Sequence, residues 1–292
     1  MPDDAALPDA DAREAATIAA VLDGARQRQL AAGLRSPDPP RFLLAGARSM
    51  AAHLAMPEER MRECLGAMAL WQLHLPAAFD TRVWDFAALR EHLPSSYARV
   101  RAALAALGSR PQVVTGVFHM PGFPIVCSLI GAAWEELREG PLHLLVARSN
   151  MGWLKLGKHR WRPDALRVVG TDPAGLRQLL AGLRTGAIER LVILSDGPQD
   201  PASAGTRVLD GVSPSLGIGT GLLGRIEAMG IPLLPITHAW TADRLVVTPH
   251  PPLDPATGGG CPFADAVARR VEELLRRHPE QWLNWNAASL RT

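Results

Sequence analysis

The chain has 292 residues, 47% of them hydrophobic, with a mean hydropathy of +0.03, enough apolar surface for a sizeable core and a folded globular protein. A net charge of +2, from 31 basic against 29 acidic residues, and only 5% aromatics exclude both a global field that recruits nucleic acid and the basic and aromatic interleaving of a base-stacking surface. Cys64, Cys127 and Cys261 are widely separated, and no stretch reaches the ~18 uncharged apolar residues of a membrane span. Neither a disulfide framework nor a metal site is therefore expected.

Taken in order, the apolar spacing predicts an amphipathic helix over 11–34, closed by Ser36-Pro37-Asp38-Pro39-Pro40. Further helices are predicted over 42–53, 57–74, 83–91 and 97–107, the last closed by Gly108. The register then changes to short apolar runs alternating with helices. Strands are expected at 113–118, 142–147, 191–194, 231–236 and 244–248, and helices at 125–138, 172–184 and 261–277. Such alternation argues an α/β fold with a mixed, mostly parallel central sheet flanked by helices, behind a helical N-terminal third. The expected division is an N-terminal helical extension, 1–40, and an α/β domain, 41–292.

The run Val113 to Phe118 delivers His119 to the turn Met120-Pro121-Gly122. A rigid strand end opening onto a turn suits a catalytic base, and the plainer alternative is a histidine that serves the fold alone. Asp196, after the strand 191–194, also falls where open α/β sheets place ligands, although Asp196-Gly197 equally suits a turn. Gly217-Ile218-Gly219-Thr220-Gly221 lacks the spacing of a nucleotide loop and reads as a tight helix start lining a pocket. Arg148, Lys155, Lys158, His159, Arg160 and Arg162 make a locally basic loop, suited either to a phosphate or phosphopantetheine arm or to simple solvation. No G-x-S-x-G elbow and no paired carboxylates offer another centre, which leaves His119 as the candidate base.

In their order these motifs resemble the lysophospholipid acyltransferase superfamily, in particular its late lipid A biosynthesis acyltransferase branch. The resemblance runs from about Phe42 to Trp285. It rests on the strand ending in His119, the strand and turn Leu191 to Gly197, and the helix start Gly219-Thr220-Gly221. It continues through Gly230-Ile231-Pro232-Leu233-Leu234-Pro235 and the closing His278-Pro279-Glu280-Gln281-Trp282-Leu283-Asn284-Trp285. Three departures accompany it. Pro124 stands where the family places an acid five positions after its histidine, 11–34 is too polar for the family's membrane-anchoring helix, and Asn286-Ala287-Ala288 replaces a terminal His-Arg-Arg cluster.

The cysteine usage and the want of an apolar span suggest a cytoplasmic protein with at most peripheral membrane contact, and the resemblance implies an acyltransferase-like enzyme with no bound cofactor. Its donor would be an acyl carrier protein or coenzyme A thioester, and its acceptor a hydroxyl or amine on a small or carrier-bound molecule. His119 would be the general base, and Asp196 or Asp210 the acid that stands in for the one missing at Pro124. Arg148, Lys155, Arg160, Gly219, Thr220 and Gly221 would bind substrate. Two alternatives stay open. One is a non-catalytic relative that binds an acyl chain or carrier protein, and the other is a pocket turned to hydrolysis or cyclisation of a thioester.

Overall fold

The structure, a computed structural model, describes residues 7–33, 40–75, 86–146, 166–212, 216–241, 244–255, 262–285 and 287. Five helical segments come first: α1 (Leu7–Gly33), α2 (Arg41–His53), α3 (Glu58–Ala69), α4 (Phe86–His92) and α5 (Pro94–Ala105). One turn of π-helix, Leu70–His74, follows α3 directly. The α/β portion then runs β1 (Val113–Val117), α6 (Phe123–Leu137), β2 (Leu142–Val146), β3 (Leu166–Gly170), α7 (Pro173–Thr185) and β4 (Arg190–Leu194). It continues as β5 (Pro198–Gln199), β6 (Thr206–Val208), β7 (Gly217–Gly219), α8 (Gly221–Ala228), β8 (Leu233–Trp240), β9 (Leu245–Pro249) and α9 (Pro262–Arg277), closed by the 3-10 turn Pro279–Gln281.

The protein is thus α/β, as the alternation of apolar runs and helices predicts. Six strands form one sheet in the order β3-β2-β4-β1-β8-β9, parallel throughout except that β9 runs antiparallel to β8. A second, three-stranded antiparallel sheet, β5-β7-β6, leads away from the end of β4. Because every residue of β1 and β2 is buried, both faces of the main sheet must be covered. Val113, Val117, Val192, Leu234 and Ile236 face a core made with α1, α4, α5 and α6. Val114, Leu191, Ile193 and Leu233 face a second core with α2, α3, α7, α8, α9 and Trp282. Strand periodicity of two produces this division.

Several boundaries differ from those the sequence suggests. β3 is an unexpected edge strand, and its largely part-exposed Leu-Arg-Val-Val-Gly pattern carries little apolar signal. The run expected to end at Ile236 continues through Thr237-His238-Ala239-Trp240, all of them buried against β9 and neighbouring layers. Gly217–Gly219 is a strand rather than part of a helix start, and the helix begins at Gly221. Asp172 fixes the start of α7, its carboxylate accepting from the amides of Ala174 and Gly175 at 3.1 and 2.9 Å.

Among the described residues no helix is long and apolar enough to cross a membrane. The first helix instead packs inward: Ile18, Val21, Leu22 and Ala25 join the core that covers β1, and buried Glu14 accepts from the Ser96 amide of α5 at 2.9 Å. Ile18→Ala, which removes a fully buried side chain, is expected to lower the unfolding free energy by about 2–5 kcal/mol. Denaturant titration monitored by far-ultraviolet circular dichroism checks it. A single displaced transition is expected, because α1 shares its core with the sheet.

Candidate active site

Three strand ends converge on one place because of register. Val117 of β1 pairs with Leu194 of β4 on one side and with Ile236 of β8 on the other. His119, Asp196 and His238 each lie two residues beyond that line. Parallel strands bring their carboxyl ends to the same edge, where open sheets receive ligands.

Asp196 has no exposed surface, and the His119 side chain is 16% exposed. Nδ1 of His119 lies 2.7 Å from Oδ1 of Asp196, and the backbone N–H of His119 donates to both carboxylate oxygens at 3.0 and 2.9 Å. Nε1–H of Trp282 donates to Oδ2 at 2.8 Å. A carboxylate only accepts, so the neutral imidazole carries its proton on Nδ1 and its lone pair on Nε2. Asp196 therefore stands in the relation to His119 that a residue at position 124 does not. Pro124 is instead the second residue of α6, where a missing amide donor costs nothing and its carbonyl accepts from Oγ of Ser128 at 2.9 Å.

The turn bearing His119 is held by its carbonyls as well. The His119 carbonyl accepts from the Leu283 amide at 2.8 Å, and the Pro121 carbonyl from the Trp240 indole at 2.8 Å. Nε2 of His238 lies 3.1 Å from the Met120 carbonyl. That carbonyl can only accept, so His238 is the Nε2–H tautomer, and its Nδ1 meets no partner among the described residues. Gly122 follows with φ of +87°, and a Cβ there would lie 3.0 Å from Nε1 of Trp240, so glycine suits both the backbone and the close indole. Since a trans peptide sets N–H against the preceding C=O, the Gly122 amide points away from Trp240.

The closing motif acquires a physical role. The Gln281 amide pairs with the backbone of Trp240, its oxygen accepting from the Trp240 N–H at 2.8 Å and its nitrogen donating to the Trp240 carbonyl at 2.7 Å. Asn284 donates to the Asp196 carbonyl at 3.0 Å. Trp285 stands edge-on to Trp282 and bonds back to the Pro279 carbonyl. The motif is visible in the sequence, whereas its attachment to Asp196 is not. His238 and Trp240 escape sequence reading because the polar Thr237-His238 pair interrupts an apolar run.

The remaining expected site residues separate into two groups. Arg148, Lys155 and Arg160 lie outside the described residues. Gly219 ends β7, which is anchored to the residue after Asp196, and Thr220 and Gly221 follow it: the Gly219 amide donates to the Gly197 carbonyl, and Thr220 gives both its amide and its Oγ1 to the Gly205 carbonyl. Those donors hold the loop together. Asp210 lies past β6, its amide bound to Glu272 of α9 at 2.7 Å, so of the two acids considered it is Asp196 that meets His119. Among the described residues no group of three His, Cys, Asp or Glu side chains could hold a metal ion.

No protein-family model matches the chain. No curated protein matches it.

Burial depresses the His238 pKa from 6.5 to about 4, with His119 opposing its charge, while the Met120 carbonyl and Asp196 act the other way. The unfolded chain then binds more protons than the native one between about pH 4 and 6.5, so stability is retained above this window and lost as pH falls through it. His238→Gln is expected to flatten that acid limb, measured as the change in unfolding midpoint between pH 7.5 and 4.5. Trp282→Phe, which takes one donor from a buried carboxylate, is expected to cost about 1–3 kcal/mol in a denaturation experiment at pH 7.5.

Proposed function

We propose that the protein is an acyltransferase-like enzyme that moves an acyl group from an acyl carrier protein or coenzyme A thioester to a hydroxyl or amine of a small or carrier-bound acceptor. The observation that carries this reading is the 2.7 Å contact between His119 Nδ1 and a wholly buried Asp196. It leaves the Nε2 lone pair as a base at the mouth of a turn that Leu283, His238 and Trp240 hold in place. The ordered likeness to lipid A biosynthesis acyltransferases supplies the reaction class, and the buried pair supplies the acid that Pro124 does not.

In the proposed reaction Nε2 of His119 takes the proton from the acceptor O–H or N–H as that atom attacks the thioester carbonyl. Asp196 stabilises the imidazolium formed and keeps the ring in its working tautomer. The Gly122 amide is the backbone donor we assign to the oxyanion. Collapse of the tetrahedral intermediate breaks the C–S bond, and the proton held on Nε2 passes to the departing thiolate. Each turnover thus leaves an ester or amide, a free thiol and a neutral His119. A non-catalytic relative needs no acid beside its histidine, and the placement of Asp196 against His119 favours the catalytic reading.

Asp196→Asn is expected to lower kcat by about 10²–10⁴ with a smaller change in KM, and His119→Ala by at least as much. Intact-mass detection of acyl transfer, with a panel of acyl thioesters against alcohol and amine acceptors, measures both. Turnover unchanged in His119→Ala would remove the base assignment. Free acid released equally with and without acceptor would move the reading to thioester hydrolysis.

A further inference from the structure

A second place in the fold has the chemistry of a binding site and takes no part in the reaction described above. A cavity of about 290 Å³ lies between α9 and the strands β8 and β9, and of the site residues described above His238 lines it while His119 and Asp196 do not. Along β8, Thr237 and Ala239 alternate with His238 and Trp240, and Thr237 stands opposite Thr248 of β9 on the face that α9 covers. His250, just past β9, closes one side, its Nε2 2.8 Å from the Thr237 hydroxyl. Two turns of α9 set Arg270, Glu273 and Arg277 over the opening, and His278 completes the wall.

The charges in this cavity do not balance. Among the described residues Glu273 is its one carboxylate, and it meets both guanidinium groups, Nη1 of Arg270 at 3.1 Å and Nη2 of Arg277 at 3.0 Å. Each guanidinium has five N–H donors, so one carboxylate leaves most of them and one positive charge uncompensated. Three histidines, His238, His250 and His278, and three threonines, Thr237, Thr241 and Thr248, also line the cavity. We propose that this cavity binds a phosphate-type dianion, either free or as the phosphate ester of a larger ligand. A metal cation finds a single carboxylate there beside two arginines, and an apolar ligand would strip water from both guanidinium groups without replacing it.

The proposal has a built-in proton signature. In the free protein His250 titrates below its ordinary value, because burial and then Arg270 disfavour its charge while Glu273 opposes them weakly. A bound dianion reverses that balance. The titratable and charged groups that line the cavity with His250 are Arg270, Glu273 and Arg277 of α9, His278 after it and His238 of β8, and none of them loses a positive charge as pH falls. Binding therefore takes up a proton at His250 and tightens between pH 8 and pH 6.

The test is calorimetric titration of the full chain with sulfate, a dianion throughout this range, against chloride at equal ionic strength. One saturable site is expected, several-fold tighter at pH 6 than at pH 8, and at least tenfold weaker when Arg270→Gln and Arg277→Gln are combined. His250→Asn is expected to keep the site and to weaken its pH dependence, with His238 and His278 the imidazoles that remain in the lining. Displacement of sulfate by coenzyme A as well as by inorganic phosphate would assign the site to a nucleotide phosphate of the donor, and displacement by inorganic phosphate alone to a free anion. Absence of a saturable sulfate site, or equal affinity in the natively folded double variant, overturns the proposal. Should the double variant fail to fold, an unaltered pH dependence in His250→Asn overturns it.

Discussion

A carboxylate removed from water sets the terms for this site. A charge as buried as Asp196 survives only where donors replace its hydration, and the protein supplies the backbone N–H of His119, its Nδ1–H and the indole of Trp282. The orientation of the imidazole is one consequence of that compensation. Nδ1 is drawn to the carboxylate, so Nε2 alone is left to work. The need to satisfy Asp196 therefore selects the tautomer, and the same three donors fix where the ring lies relative to β1 and β4.

Around this pair the turn is built from both sides of the sheet. β8 outruns its neighbours, and the two residues by which it does so most usefully, His238 and Trp240, reach the carbonyls of Met120 and Pro121. The 3-10 turn after α9 then braces that extension through Gln281 and passes straight to Trp282. Since His278 walls the cavity beside α9 while Trp282 holds Asp196, only one short turn of chain separates the two places. His238 belongs to both places, lining the cavity while its Nε2 meets the Met120 carbonyl.

Much of the architecture is legible in the sequence because it depends on local patterning. The alternation after Gly108 yields the parallel sheet, and the strand ends at His119 and Asp196 are visible as apolar runs stopping at polar turns. Their pairing is not, since adjacency of β1 and β4 follows from strand order, and β2 and β3 intervene between them in the chain. Position 124 misdirects for the same reason: the resemblance places the acid in helical neighbourhood, one turn from its histidine, whereas here it comes from the next strand. Tryptophan 282 is readable only as part of a motif, because an indole that packs in a core and an indole that holds a carboxylate look alike in sequence. Short edge strands such as β3, with one face part-exposed, carry too little apolar signal to be found.

The sequence separations in the contacts that hold His119 bear on when the site can exist. Asp196 lies 77 residues away, while the Met120 and Pro121 carbonyls wait for partners 118 and 119 residues downstream. The indole that completes the shell of Asp196 stands another 86 residues beyond it. Long loops must close before any of these contacts forms, which places them late in folding. A chain emerging from the ribosome therefore carries His119 for more than half of synthesis without the partners that orient its ring. The shell of Asp196 is complete only when Trp282 has docked.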